Sequence, residues 1–209
     1  MVLQARGANV PDREAAQDQA LKAAEELFYS RGIQAVGMDA VRNASGLSLK
    51  RLYQLFPSKE ALVLEFLDRR DRRWRQALAH HVDARTTPED QVVAVFEWLH
   101  TWFSEPGYRG CAFINSFGEL GGISPEVAAR ARRHKQAFRD YLVALVTATG
   151  RPAALGDQLV LLAEGAITTA AITGTSQPAT QARDAARLLM LAYSRDNGER
   201  PDVSQQTGE

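Results

Sequence analysis

The sequence predicts an all-α protein with about nine helices. Eight prolines divide the 209 residues into segments that are mostly long enough for one helix or two. Between these breaks apolar residues recur at intervals of three and four, as at Val92, Phe96, Leu99 and Phe103. No alternating run of β-branched residues predicts a β-hairpin. We therefore expect helices throughout.

Each helix is predicted from its apolar period together with a proline, a glycine or a capping residue at its boundary. A hydroxyl before a proline, with acidic residues after it, is typical of a helix start. In chain order the expected helices are 13–31, 38–45 before Gly46, 48–55 from Ser48, 58–80 after Pro57, 88–104 from Thr87-Pro88, 110–120, 125–149 from Ser124-Pro125, 153–173 after Pro152 and 179–195 after Pro178.

The composition excludes several classes of protein. Lysine plus arginine number 25 and aspartate plus glutamate number 25, so the formal net charge is zero and the chain is not a bulk polycation. Any nucleic-acid site is then a local patch. The single cysteine, Cys111, indicates a reducing compartment, and we expect the cytoplasm. No segment predicts a signal peptide or a membrane span.

Residues 38–48 have the pattern of a helix-turn-helix motif. A very short helix ends at Gly46, which can adopt the left-handed conformation without a Cβ penalty. Ser48 can cap the following helix after a turn of only a few residues. One arc of that helix is predicted to pack, and it holds Leu49, Leu52, Tyr53 and Phe56. The opposite arc holds Lys50, Arg51 and Gln54.

The polar arc is suited to DNA recognition. Lysine and arginine donate hydrogen bonds to guanine, and a glutamine amide pairs bidentately with adenine. The helix after Pro57 offers exposed N-terminal amides and Lys59, which can hold a phosphate and fix the register on DNA. Alternatively, the three polar residues only solvate a surface helix. The glycine turn and the nearby phosphate-competent helix start favour DNA binding.

A longer pattern extends from Ala24 to Leu62. It comprises Ala24-Glu25-Glu26-Leu27-Phe28, Arg31-Gly32-Ile33, Met38-Asp39-Ala40-Val41, Gly46-Leu47-Ser48 and Leu52-Tyr53-Gln54-Leu55-Phe56-Pro57-Ser58-Lys59-Glu60-Ala61-Leu62. This pattern resembles the DNA-binding domain of tetracycline-repressor (TetR) family regulators. The rest of the chain is similar to the family only in length, helicity and helix order. The resemblance implies a homodimer, a palindromic operator and an unknown small-molecule effector.

The resemblance also assigns roles to individual residues. Ser48 matches the family's cap of the recognition helix, Tyr53 its phosphate-contacting aromatic residue and Lys59 its phosphate-contacting lysine. The chain departs from the family at Leu49-Lys50-Arg51, where Lys-Gly-Thr is common, and at Leu55, where histidine is common. The operator sequence therefore cannot be taken from a relative. The predicted DNA-binding residues are Ser48, Leu49, Lys50, Arg51, Tyr53, Gln54 and Lys59.

The C-terminal part contains a cluster of aromatic residues. Helix 88–104 is apolar over most of its circumference, which is typical of a central helix. In helix 110–120, Phe113 and Phe117 lie one turn apart, with Glu119 as a polar companion, and this composition suits a pocket. Alternatively, the aromatic side chains only fill the core. The predicted ligand-binding residues are Trp98, Trp102, Phe113, Asn115, Phe117 and Phe138.

Helices 153–173 and 179–195 each carry a stripe of mainly small residues, which let helices approach closely. The first stripe holds Leu159, Leu162, Ala166, Thr169, Ala170 and Thr173, and the second holds Ala182, Ala185, Ala186, Leu189 and Ala192. We expect these two helices to form a four-helix interface between two copies of the chain. Alternatively, the stripes form a seam within one copy.

Two further patterns are assigned no function. Cys111, His134 and Glu119 could form a thiol nucleophile with a base, and the four histidines could bind a metal ion. Neither a Cys-x-x-Cys nor a His-Glu-x-x-His spacing occurs, so we expect no enzyme, no metal site and no cofactor. The arginines of residues 69–75 would lie on every face of a long helix, so we expect a solvated helix there and not a stripe that binds nucleic acid.

These observations predict two domains: a helix-turn-helix DNA-binding domain at 1–57 and a helical ligand-binding and dimerisation domain at 58–209. The predicted function is that of a one-component transcriptional regulator, a repressor that a small-molecule effector releases from a palindromic DNA operator. The alternative is an all-α small-molecule-binding protein or enzyme in which the helix-turn-helix is structural.

Overall fold

The structure is a computed structural model that describes residues 10–196. Over this range the chain forms nine helices and no strand, which confirms the predicted all-α fold. The helices are α1 (Val10–Arg31), α2 (Met38–Ser45), α3 (Leu49–Leu55), α4 (Lys59–Asp83), α5 (Pro88–Phe103), α6 (Ala112–Leu120), α7 (Pro125–Ala148), α8 (Ala153–Thr173) and α9 (Gln177–Asp196).

The predicted helix starts at two Ser/Thr-Pro pairs are confirmed. At the start of α5, Thr87 Oγ1 accepts the N–H of Asp90 at 3.1 Å. At the start of α7, Ser124 Oγ accepts the N–H of Val127 at 3.3 Å. Helix α1 begins earlier than predicted, at Val10, because a proline is tolerated in the first turn of a helix.

The described chain forms two compact units. The first contains residues 10–74 and 111–134, and the second contains residues 75–110 and 135–196. The division into a DNA-binding domain and a ligand-binding domain concerns function, and it stays a prediction.

In the first unit, α1 supports the two helices of the helix-turn-helix. Ala20, Ala24 and Phe28 are buried on α1, as are Val41 of α2 and Leu52 of α3. Helices of seven or eight residues are not stable alone in water, so α2 and α3 depend on this packing.

The arginine run of α4 also contacts α1. Arg69 donates to Asp18 Oδ1 at 2.6 Å, and Arg70 and Arg73 donate to the two carboxylate oxygens of Glu25 at 2.8 and 3.0 Å. The expectation of a solvated helix was wrong for Arg69 and Arg70, whose side chains are only 18% and 21% exposed, because carboxylates on the neighbouring helix bind their guanidinium groups. Arg73 is paired as well but stays exposed, as expected. The pairs join α1 to α4 within the first unit.

In the second unit, α5 packs with α8 and α9. Val92, Phe96 and Leu99 of α5 are fully buried, as expected of a central helix. Gly156 lets α8 lie close to α7, because an added Cβ would come within 2.8 Å of Val143 Cα. Helix α8 is long and apolar enough to cross a membrane by length and composition, and one face of it, with Leu155, Leu159 and Ile167, is buried in this unit.

Candidate nucleic-acid interface

The turn between α2 and α3 has the predicted geometry. Gly46 ends α2 with a φ of 68°, in the left-handed region, and its N–H donates to the Arg42 carbonyl at 3.0 Å. The side-chain amide of Gln19 on α1 donates to the Ser45 carbonyl at 2.5 Å. This bond satisfies a carbonyl that has no partner within α2 and holds the turn against α1.

Helix α3 begins at the predicted cap. Ser48 Oγ accepts the N–H of Arg51 at 3.1 Å. Leu52 and Phe56 are buried and anchor one face of the helix, and Leu49 is half-buried beside them. These contacts fix which side of α3 faces outward.

Lys50 and Gln54 lie on the outer side of α3 and are exposed. Within residues 10–196 neither side chain makes a hydrogen bond or ion pair, so both are available to a partner. Tyr53 is also 46% exposed. The prediction that Tyr53 belongs to the packed arc was therefore wrong, because Leu52 and Phe56 fill the core beneath α3. Its exposure leaves the hydroxyl accessible to a phosphate.

Arg51 lies on α3 but is held by α1. Its Nη2 donates to Asp12 Oδ2 at 3.2 Å, and its side chain is only 23% exposed. The helical pattern predicts Arg51 among the exposed residues and does not indicate Asp12, because 39 residues separate the two.

Lys59 is the first residue of α4, and its amine lies beside the turn between α1 and α2. The Nζ atom donates to the Gln34 carbonyl at 3.5 Å. Burial lowers the pKa of Lys59 from its ordinary value, and the nearby Glu119 carboxylate acts in the opposite direction. The preceding Ser58 accepts the N–H of Ala61 at 3.0 Å and so caps α4.

The Glu119 carboxylate on α6 binds the same turn. Its two oxygens accept the N–H groups of Ile33 at 3.1 Å and Gln34 at 2.8 Å. The side-chain amide of Gln34 donates in return to the Glu119 carbonyl. A Cβ at Gly32 would lie 3.2 Å from the carboxylate, and Gly32 has a φ of 87°, so glycine suits this position for two reasons. Helix α6 is thus tied to the turn that precedes the helix-turn-helix.

The six predicted ligand-binding residues fall in both units. Phe113, Asn115 and Phe117 lie on α6 in the first unit, whereas Trp98, Trp102 and Phe138 lie in the second. All are buried except Asn115 and Phe117, and Phe117 is 49% exposed. The rings of the two tryptophans stack with centroids 5.4 Å apart. Their role in ligand binding stays a prediction.

A small cleft lies beside α6 in the first unit. Its volume is about 10 Å³, enough for one water molecule. Asn115 and Glu119 of α6 contribute its polar lining, opposite the apolar side chains of Phe28 and Phe66. The cleft therefore adjoins the carboxylate that binds the α1–α2 turn.

His134 is buried in the first unit. Its Nδ1 lies 2.7 Å from Asp71 Oδ1, and its ring stacks on Phe113 with centroids 3.8 Å apart. These contacts give the histidine a packing role in the core. In the part of the chain that the structure describes, no three His, Cys, Asp or Glu residues are grouped so that they could hold a metal ion.

The small-residue stripes of α8 and α9 lie partly inside one copy of the chain. The interpretation as an interface between copies was wrong for Leu159, Ala166, Ala170, Ala182 and Ala186, which are already buried in the single chain. Their small side chains let helices of the second unit pack closely. Large apolar side chains of the same two helices remain exposed, at Leu161, Ile172, Leu188 and Leu191.

Three residues of this site could not be predicted from the sequence: Asp12, Gln34 and Glu119. Glu119 binds a turn 85 residues away, and no periodic or short motif encodes such a contact. The one local signal is a glutamate in a helix that is otherwise mostly apolar.

Residues 20–66 match the family model for bacterial regulatory proteins of the tetR family. The HTH-type transcriptional activator FasR of Mycolicibacterium smegmatis is 34% identical over 146 residues, which are 68% of this chain and 63% of that protein. The uncharacterized HTH-type transcriptional regulator Rv1255c of Mycobacterium tuberculosis is 32% identical over 124 residues, 56% of this chain and 60% of that protein. The matches thus span less than two thirds of these relatives.

The solved structures cover more of the chain. SCO4454, a TetR-family transcriptional regulator from Streptomyces coelicolor, has a TM-score of 0.81 at 27% identity, over 87% of this chain and 97% of that chain. A TetR transcriptional regulator from Chloroflexus aurantiacus has a TM-score of 0.76 at 22% identity, over 89% and 98%. At 22% identity, the similarity to the Chloroflexus protein shows a shared fold only.

Proposed function

Because the chain belongs to the TetR family of transcriptional regulators, we propose that it regulates transcription by binding a DNA operator through α3. The observation that carries this proposal is the outer face of α3, where Lys50 and Gln54 are exposed and unpaired within the described residues. Both side chains match donors and acceptors on base edges in the major groove. Tyr53 and Lys59 then contact the flanking phosphates and set the register.

The regulator acts as a homodimer on a palindromic operator. A two-fold symmetric protein presents two recognition helices to two half-sites, so dimer symmetry and operator symmetry correspond. The exposed apolar side chains of α8 and α9, among them Leu161 and Leu188, support these helices as the contact between copies. A second copy with the same face would remove them from water.

A small-molecule effector controls DNA binding, and α6 is the element through which it acts. This helix carries three of the predicted ligand-binding residues, namely Phe113, Asn115 and Phe117. The same helix carries Glu119, which binds the turn before α2. An effector that prefers one position of α6 shifts the population of DNA-binding conformations by its differential affinity. We expect an uncharged or weakly polar molecule of aromatic size.

The effector proposal is tested with a panel of uncharged aromatic compounds. A compound that releases the wild-type protein from DNA is then titrated against Phe117→Ala. The proposal expects a higher concentration for release in this variant. Release at an unchanged concentration would place the effector site away from Phe117.

The regulator is a cytoplasmic repressor in this proposal. Bound at an operator that overlaps a promoter, the protein excludes polymerase until the effector releases it. The second candidate is an activator, and the observation that favours it is the name of the relative FasR, a transcriptional activator. Only the sign of regulation differs between the two.

The experiment that tests the function is a mobility shift on the promoter region of the chain's own gene, followed by transcription from that promoter in vitro. A regulator binds this duplex more tightly than a scrambled duplex of equal length. A repressor then lowers transcription, whereas an activator raises it. Equal or absent binding to the two duplexes would instead favour a protein whose helix-turn-helix is structural.

A further inference from the structure

We infer that Asp12 is a positioning residue for base recognition: its carboxylate holds the Arg51 guanidinium at the DNA-binding face of α3. This inference rests on the proposed function, since Arg51 has a target only when α3 enters the major groove. It assigns a specificity role to α1, a helix that otherwise serves as the support of the helix-turn-helix.

The geometry that carries the inference is an ion pair across two helices. Asp12 lies in the first turn of α1, and Arg51 lies in the first turn of α3. Asp12 Oδ2 accepts from Arg51 Nη2 at 3.2 Å. Arg51 is also the least exposed of the three polar residues predicted to contact bases, since Lys50 and Gln54 are open to solvent. Of these three residues, Arg51 is the one whose side-chain direction is fixed before DNA binds.

The ion pair leaves Arg51 able to bind a base. A guanidinium carries five N–H donors in a rigid planar fork, and the bond to Asp12 uses one Nη2 donor. Guanine offers O6 and N7 to a bidentate arginine. An arginine already held in one direction loses less rotamer freedom when it binds, so more of the contact energy remains for recognition.

Asp12 acts on specificity and not on general affinity for DNA. A carboxylate beside the DNA backbone repels phosphates of every sequence alike. Its favourable effect acts only through Arg51, and so only at the base pair that Arg51 contacts. Removing the carboxylate should reduce the preference at that base pair, with binding to random DNA unchanged or stronger.

The test uses the full chain and double-stranded DNA randomised over about 20 base pairs, the length of two half-sites one helical turn apart. The wild-type protein selects its preferred duplex. Affinities are then measured for that duplex, for each single base-pair change and for a scrambled duplex. The variants are Asp12→Ala, Asp12→Asn, Arg51→Ala and the double variant Asp12→Ala/Arg51→Ala. Glu14→Ala is the matched control, because Glu14 is an exposed acid of α1 with no hydrogen bond or ion pair in the described range.

We expect Arg51→Ala to identify one base pair per half-site whose preference it abolishes. At that base pair Asp12→Ala should lower the preference by about two- to fivefold, the range for a solvent-exposed ion pair, because Arg51 itself is still present. Asp12→Asn keeps an acceptor oxygen and should fall in between. In the Arg51→Ala background Asp12→Ala should have no further effect, and Glu14→Ala should leave every preference intact.

Three results would overturn the inference. Asp12→Ala could leave all preferences intact, with operator affinity unchanged or raised, which would show that Asp12 has no positioning role. It could lower the preference at every base pair alike, which would make its role structural. Arg51→Ala could leave every preference unchanged, which would remove Arg51 from base recognition. A wild-type protein that selects no duplex would overturn the proposed function together with this inference, whereas the three results above leave that function standing.

Discussion

Two hydrogen bonds join Glu119 and Gln34, although 85 residues separate them in the sequence. The Glu119 carboxylate accepts the backbone N–H of Gln34 at 2.8 Å, and the Gln34 side-chain amide donates to the Glu119 carbonyl. Lys59 donates to the carbonyl of the same Gln34. The turn before the helix-turn-helix, the start of α4 and helix α6 therefore share one hydrogen-bond network.

Replacing Glu119 by alanine should loosen this turn. The variant loses two charge-assisted hydrogen bonds at a partly exposed site, so the free energy of unfolding should fall by about 1–3 kcal/mol. The amides of Ile33 and Gln34 should also exchange with deuterium faster. Glu105→Ala is the control, because Glu105 is an exposed acid whose side chain makes no bond in the described range. Unchanged protection of both amides would contradict the role of the carboxylate.

Replacing Lys59 by alanine should weaken binding to operator and scrambled DNA alike. The lost phosphate contact should flatten the dependence of log K on log salt by about 0.9, and by about twice that in a dimer. Tyr53→Phe removes a hydroxyl without a charge and should leave the slope unchanged. The measurement is a salt series with both duplexes. A wild-type slope in Lys59→Ala would exclude a phosphate contact at this lysine.

The variants Leu161→Arg and Leu188→Arg should each be monomeric. Both side chains are exposed on α8 and α9, by 73% and 69%, so an intact monomer can accommodate the change, whereas an apolar interface cannot. Light scattering at micromolar concentration measures the effect. Ile123→Arg is the control, since Ile123 is 77% exposed and lies on neither helix. Dimers in both leucine variants would place the interface elsewhere.

Tyr141 should make stability sensitive to alkaline pH. Burial, with Asp83 nearby, raises its pKa from 10.0 to about 12, so the folded chain keeps a proton that the unfolded chain loses. The contribution of the protonated Tyr141 hydroxyl to the free energy of unfolding is therefore complete below pH 10 and is lost as the pH rises toward 12. With partial solvent exposure taken into account, the loss should be about 1–2 kcal/mol.

Tyr141→Phe tests this dependence. The Tyr141 hydroxyl is buried with no hydrogen-bond partner in the described part of the chain, so its removal should not destabilise the protein at neutral pH. Unfolding by denaturant between pH 9 and pH 12 should show a smaller loss of stability in the variant. Parallel pH profiles for the two proteins would show that Tyr141 does not titrate differently in the folded and unfolded states.

The fold and the recognition helix could be predicted because their signals are local. Ser48 caps α3 and Gly46 ends α2 through contacts within a few residues, and such contacts leave a pattern in the sequence. The partners of Arg51 and Lys59 could not be predicted in this way. Asp12 pairs with Arg51, and Gln34 and Glu119 come to lie beside Lys59, only after the helices have packed; several other residues would fit the sequence equally well.

The division of apolar residues between core and surface was predictable only in part. Helical period identifies an apolar face, but it does not say whether that face meets another helix of the same chain or a second copy. Ala166 and Ala170 belong to the inner side of α8, whereas Leu161 and Ile172 face outward. The difference depends on where α5 and α9 lie against α8, which is a tertiary property.

Base recognition by α3 is the central claim, and the most direct measurement is the ratio of affinities for operator and scrambled DNA. Lys50→Ala and Arg51→Ala should each lower operator affinity by about 1–3 kcal/mol per half-site and change scrambled binding little, because only the correct base presents the matching acceptors. The ratio should therefore fall in both variants. If both variants lose affinity equally for the two duplexes, these residues do not recognise bases, and sequence is recognised by other side chains or through DNA shape.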